Sequence, residues 1–160
     1  MPKTFSHVKT IFMQDITIFG NAYFASYFYW LGEAREAFLK ELVGDPALFF
    51  ASGVKLVTRS SSLVYKNEVN LLDVVRIVVV PEKVSVTTVD LRFIFTKNGS
   101  DHIIAEGHQQ IGFVGKDGHP IPIPIEFVTN GKIFISQDQE QKIDELERKI
   151  RWVRENSLLI

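Results

Sequence analysis

The chain has 160 residues and no cysteine, which excludes disulfide staples, thiolate metal sites and a cysteine nucleophile together. It has no surplus of either charge: 18 Lys and Arg stand against 19 Asp and Glu, for a formal net charge of −1. A phosphate backbone demands clustered positive charge, so nucleic acid is not an expected partner. No apolar run reaches the roughly 18–20 residues of a membrane span, and Met1 to His7 has no basic stretch leading into one. These absences predict a soluble, cytoplasmic protein that does not associate with membranes. The chain also lacks a Gly-rich phosphate loop, a GxSxG elbow and an HExxH motif. Its four histidines, His7, His102, His108 and His119, are scattered without metal-ligand spacing. Neither a metal nor another cofactor is expected.

Aromatics, by contrast, are abundant: 13 Phe, 4 Tyr and 2 Trp, many of them between Phe19 and Phe50. Such a cluster serves either core and subunit packing or an apolar channel. Thr4 to Met13 reads as a leading strand. Gly20 and Asn21 then suit a turn that starts a helix, with Asn21 as its cap. The helix is predicted over Ala22 to Leu42, because Tyr23, Tyr27, Leu31, Ala34, Phe38 and Leu42 recur at spacings of three and four. Gly44, Asp45 and Pro46 end it.

Beyond Gly53 the pattern turns to runs rich in Val, Ile, Thr and Phe. Four strands are predicted, at Gly53 to Asn67, Asp73 to Val80, Lys83 to Lys97 and His102 to Val114. The breaks fall at Pro81 with Glu82, at Asn98 with Gly99, and at Asp117 with Gly118. Connections this short imply antiparallel pairing. The Pro-Ile run His119 to Ile125 is expected to lie extended over the surface. A second helix over Asp138 to Asn156 has Ile143, Leu146, Ile150 and Val153 on one face, for packing on its own domain or for an oligomer contact. The predicted fold class is therefore α+β. Residues 1–160 form a single domain, with an antiparallel sheet of about five strands around a long central helix. The core is 1–137, and 138–160 adds the C-terminal helix.

Arg35 is anomalous, since its helical neighbours Leu31, Gly32, Phe38 and Leu39 cannot pair with it. It either snorkels to water, binds a partner across the fold, or awaits a polar or anionic group. The Gly20–Asn21 turn either caps the helix or offers backbone N–H groups to a carbonyl.

The stretch QDITIFGNAYFASYFYWLGEAREAF, Gln14 to Phe38, resembles the signature region of the 4-hydroxybenzoyl-CoA thioesterase branch of hotdog proteins. Gly20, Asn21, Tyr23, Phe24, Tyr27, Trp30, Arg35 and Glu36 are similar to the pattern of thioesterases that accompany enediyne polyketide synthases. AEGHQQIGF, Ala105 to Phe113, is similar to that family's last strand. The resemblance implies a hotdog thioesterase that hydrolyses acyl thioesters of an acyl carrier protein or coenzyme A, as a homodimer or homotetramer with its site between subunits. Many relatives carry an acid three residues before the glycine, and the enediyne type carries asparagine there; this chain has Thr17. The implied catalytic set is Arg35, Asn21, Thr17 and Tyr27, with Gly20, Tyr23, Phe24 and Trp30 binding substrate and no catalytic carboxylate. Lys55, Arg59, Lys66 and Arg76 are either a carrier-docking patch or ordinary solvated positions. The rival readings are a general or aromatic acyl-CoA thioesterase, a dehydratase or acyltransferase on the same fold, and a non-catalytic acyl-binding or assembly protein.

Overall fold

The structure, a computed structural model, describes residues 1–157. Five strands form one sheet: β1 (Phe5–Thr10), β2 (Lys55–Tyr65), β3 (Val74–Val84), β4 (Thr88–Lys97) and β5 (Ile103–Val114). Their order is β1-β3-β4-β5-β2, and every neighbouring pair is antiparallel. The helix α1 (Ser26–Val43) packs on the sheet with Tyr27, Trp30, Leu31, Ala34, Phe38, Leu39 and Leu42 buried. The sheet answers with alternating buried positions: Val75, Ile77 and Val79 on β3, then Leu91, Phe93 and Phe95 on β4. A pleated strand with one covered face gives this period of two. Gly107 on β5 leaves room for the helix, because a Cβ there would stand 2.9 Å from Leu31 Cδ1 and 3.0 Å from Leu63 Cδ2. The predicted α+β architecture, a five-stranded antiparallel sheet around a central helix, is the one observed.

Several boundaries differ from the sequence reading, each for a local reason. The helix begins at Ser26 rather than Ala22, and Asn21 does not cap it. Residues Thr17 to Gly20 close a tight turn, with Gly20 N–H bonded to Thr17 O and Gly20 at φ +88°. Asn21 then bridges to Asn70, so the chain runs extended before it can coil. Pro81 does not break the sheet, since β3 continues to Val84. Pairing between β1 and β3 stops at Val79, so the missing proline N–H faces no β1 neighbour, and a bulge after Pro81 absorbs the irregularity towards β4. The actual reversal is at Ser85 to Thr87, tied by Ser85 and Thr88 to each other.

Two short helices were not anticipated. Pro46 starts α2 (Pro46–Ala51), capped by the Asp45 carboxylate on Ala47 N–H, in addition to ending α1. The Pro-Ile run is not a surface strap: Ile123 is fully buried, its N–H reaches Val86 O, and α3 (Ile125–Gly131) follows with Phe127 and Val128 in the core. The C-terminal helix α4 (Gln137–Ser157) lies against α3 with Ile143 and Ile150 buried, so it packs on its own domain. The last three residues of the predicted 138–160 segment lie outside the described residues.

Candidate active site

The residues singled out from sequence fall into two groups at opposite ends of β2. The first is built by the segment between β1 and α1. Asp15, buried, accepts from Phe12 N–H at 2.9 Å and from Trp30 Nε1 at 3.1 Å. Its carbonyl takes Ser26 Oγ and Tyr23 N–H. This carboxylate clamps the segment onto the helix start, and Asp15→Ala is expected to cost about 3 kcal/mol by orphaning the buried Trp30 indole N–H and the half-buried Phe12 N–H. A lowered urea midpoint would register it. Trp30, expected at the substrate, is instead wholly buried and spends its indole N–H on Asp15. Its role is to hold the segment in place.

The clamped segment presents Thr17 and Asn21. Thr17 Oγ1 accepts from Phe19 N–H at 3.1 Å and donates to Asn21 Oδ1 at 2.6 Å. That fixes the amide, whose Nδ2 donates to Glu68 Oε1 at 3.2 Å. The Asn21 backbone N–H has no acceptor among the described residues. Gly20 supplies the turn, while Tyr23 and Phe24 stand exposed beside it. Tyr27 is buried, with its ring edge-on to Tyr65 at 5.0 Å. Burial, then the Tyr65 hydroxyl and the Glu68 charge, pushes its pKa up to about 12. At neutral pH Tyr27 is therefore a phenol that can donate a proton in a hydrogen bond, never a base. Asn21, Phe24, Tyr27, Tyr65 and Glu68 line one groove. Neither Tyr65 nor Glu68 was anticipated. They arrive from the end of β2 and the link to β3, and only the polar run KNEVN between two strands hinted at a surface loop there.

The second group surrounds Arg35. Its Nη1 donates to Thr58 Oγ1 and Gln109 Oε1, both at 2.9 Å, and its Nε is buried with no acceptor. No carboxylate neutralises it among the described residues. An arginine bound only to neutral oxygens, with one donor unmatched, retains its charge for an incoming anion. It lines a second groove, whose walls include Leu39, Pro46, Phe50, Val54 and Leu56. Behind Leu39 lies a nearly wholly apolar cavity, walled by Phe38, Ile111, Phe113, Phe127, Val128 and Ile143 among others.

Tyr27 and Arg35 are eight residues apart on α1, about 12 Å at helix rise, and line different grooves. One protomer therefore does not bring Arg35 to Asn21, Thr17 and Tyr27. The four basic residues also fail to form one patch. Lys55 and Arg59 lie on β2 and Lys66 pairs with Glu106, whereas Arg76 sits on β3, three strands away. Among the described residues, no three carboxylate or imidazole side chains converge as metal ligands would. No helix there is long and apolar enough to cross a membrane.

The family model of the thioesterase-like superfamily matches residues 12–131. No curated protein is a significant match in sequence. Among solved structures, the dynemicin thioesterase, described with bound polyene, superposes with TM-score 0.76 at 21% identity over 82% of this chain and 97% of that one. The 1,4-dihydroxy-2-naphthoyl-CoA thioesterase from Synechocystis gives 0.73 at 15%, covering 80% and 95%. A gentisyl-coenzyme A thioesterase gives 0.69 at 21%, covering 76% and 97%. At such identities these likenesses establish the hotdog fold. With a family match over most of its length, the chain belongs to the thioesterase-like superfamily and is a thioester hydrolase by family.

Proposed function

We infer that the protein hydrolyses acyl thioesters of an acyl carrier protein or coenzyme A, at a site that two copies complete. The observation that carries this is the position of the two groups towards the two ends of β2, whose outer edge has no strand neighbour among the described residues. β2 is 11 residues long, lies at the sheet edge and is exposed over most of its length. Long, weakly charged edges of this kind are templates for pairing. A two-fold axis through the middle of β2 would set Lys55 and Leu56 of one protomer against Tyr65 and Lys66 of its partner. The Arg35 groove of one copy would then adjoin the Asn21 groove of the other, giving two sites per homodimer. Exposed Phe28 and Tyr29 on α1 offer apolar surface for a further contact, as a homotetramer would use.

In this reading water attacks the thioester carbonyl. The Asn21 backbone N–H and the protonated Tyr27 hydroxyl face the carbonyl oxygen, and the partner's guanidinium at position 35 meets the charge that develops on oxygen or departing sulfur. Thr17 orients the Asn21 amide and takes no proton itself. The residue pattern resembles that of the enediyne polyketide type, and the apolar walls beside Arg35 suit an extended or polyene acyl chain rather than a short polar one. An aromatic acyl-CoA ester is the second substrate reading, supported by the naphthoyl-CoA and gentisyl-CoA thioesterases of like fold. Thiol release from matched acyl-carrier and acyl-CoA panels tests both. Faster turnover of long acyl-carrier esters supports the first, preference for free aromatic CoA esters the second, and ligand retention without release would indicate a binding module.

Leu39 lines both the Arg35 groove and the apolar cavity behind it. Leu39→Ala is expected to join them and shift kcat/KM towards longer chains. It should also cost about 2–5 kcal/mol of stability, as buried leucine truncations do. An unchanged chain-length profile in the folded variant would place the acyl tail elsewhere.

A further inference from the structure

Hydrolysis requires that something take a proton from the attacking water, and the groove around Asn21 offers few groups that can. Tyr27 stays protonated far above neutral pH. Asp15 is buried with its two oxygens occupied by Phe12 N–H and Trp30 Nε1. No histidine lines either groove. Glu68 is the carboxylate that remains on the Asn21 side.

We propose that Glu68, delivered by the link between β2 and β3, is the general base of the reaction. The hydrogen bonds run in one direction towards it: Phe19 N–H to Thr17 Oγ1, Thr17 hydroxyl to Asn21 Oδ1, Asn21 Nδ2 to Glu68 Oε1. Only Oε1 is engaged, and Oε2 has no donor among the described residues. Among the described residues no lysine or arginine pairs with Glu68, although Lys66, two residues away, pairs with Glu106. The position answers the missing acid at Thr17. Threonine cannot act as the base, but it locks the asparagine that holds a base supplied by another part of the chain.

The step balances without a co-reactant. Water oxygen bonds to the carbonyl carbon while one water proton passes to Glu68. The tetrahedral intermediate then collapses, the C–S bond breaks, and Glu68 returns the proton to the departing sulfur. A free acid and a thiol leave, and the carboxylate is regenerated.

The inference rests on the hydrolase reading above, and one set of assays separates the two. Wild type, E68Q, E68D and E36Q are compared for kcat, KM and pH dependence on a long-chain acyl-CoA, with thermal unfolding as the check on folding. Glu36 is included because it is the carboxylate lining the Arg35 groove. General-base loss predicts that E68Q lowers kcat by about 10²–10⁴ with little change in KM. E68D should recover part of it, and the acid-side fall in kcat expected of the wild type should vanish in E68Q. A folded E68Q retaining more than a tenth of wild-type kcat overturns the assignment, as does a collapse in E36Q with E68Q spared. Wild-type protein that releases no thiol from any ester overturns the hydrolase reading and this one with it.

Discussion

Arg35→Ala is expected to lower kcat by at least about tenfold, and by up to about 10³ if the guanidinium faces the oxyanion directly. The same change should leave the fold intact, because Arg35 is bound to neutral groups and its removal strands no opposite charge. The group left wanting is Gln109, which is buried and keeps a 3.4 Å contact from its amide to Ser61. That predicts a stability loss of about 1 kcal/mol, near the net worth of one hydrogen bond. A fall in kcat with KM nearly constant would mark an interaction made chiefly in the transition state. Arg35→Lys should restore charge but not the two-pronged contact to Thr58 and Gln109, and so should fall between wild type and alanine. Unchanged turnover in a folded Arg35→Ala protein would remove this residue from the chemistry.

Mixing two inactive variants should regenerate activity. If each site takes Asn21 and Glu68 from one copy and Arg35 from the other, a heterodimer of Glu68→Gln and Arg35→Ala chains contains one intact site and one doubly damaged site. Random reassortment makes half the dimers mixed, so activity should rise from near zero to about a quarter of the wild-type level. A site confined to one chain predicts that the mixture stays as inactive as its parts. The geometry favours recovery, since Tyr27 and Arg35, about 12 Å apart along α1, line separate grooves in one protomer. The two-fold pairing that closes the gap also covers an otherwise bare edge.

What the sequence disclosed and what it hid divide along local and non-local lines. The buried face of α1 was readable because Tyr27, Leu31, Ala34, Phe38 and Leu42 follow helical spacing, which depends on nothing outside the segment. The strands β2 to β5 were readable for the same reason, in their β-branched runs. Asn21 misled, because asparagine after glycine suits a helix cap as well as it suits the extended bridge to Asn70 that the fold enforces. Pro81 misled in the opposite direction: whether a proline breaks a strand depends on which neighbour needs its N–H, and β1 ends before reaching it. Trp30 carried the family pattern, yet its partner Asp15 lies 15 residues earlier and has no helical relation to it. Arg35 was conspicuous for its lack of a helical partner. Thr58 and Gln109, which hold it, lie 23 and 74 residues away. Glu68 could not be seen at all, since nothing in KNEVN points to an amide 47 residues earlier.

The central claim is that this hotdog protein adds water directly to an acyl thioester, with no acyl group ever attached to the chain. Its most direct test is to follow a long-chain acyl-CoA at protein concentrations comparable to substrate, measuring thiol, free acid and the mass of the intact protein together. Thiol and acid should appear in equal amounts from the first turnover, with the protein mass unchanged. A burst of thiol ahead of acid with a mass gain equal to the acyl group would contradict direct hydrolysis, and no release of thiol from any thioester tried would contradict the function itself.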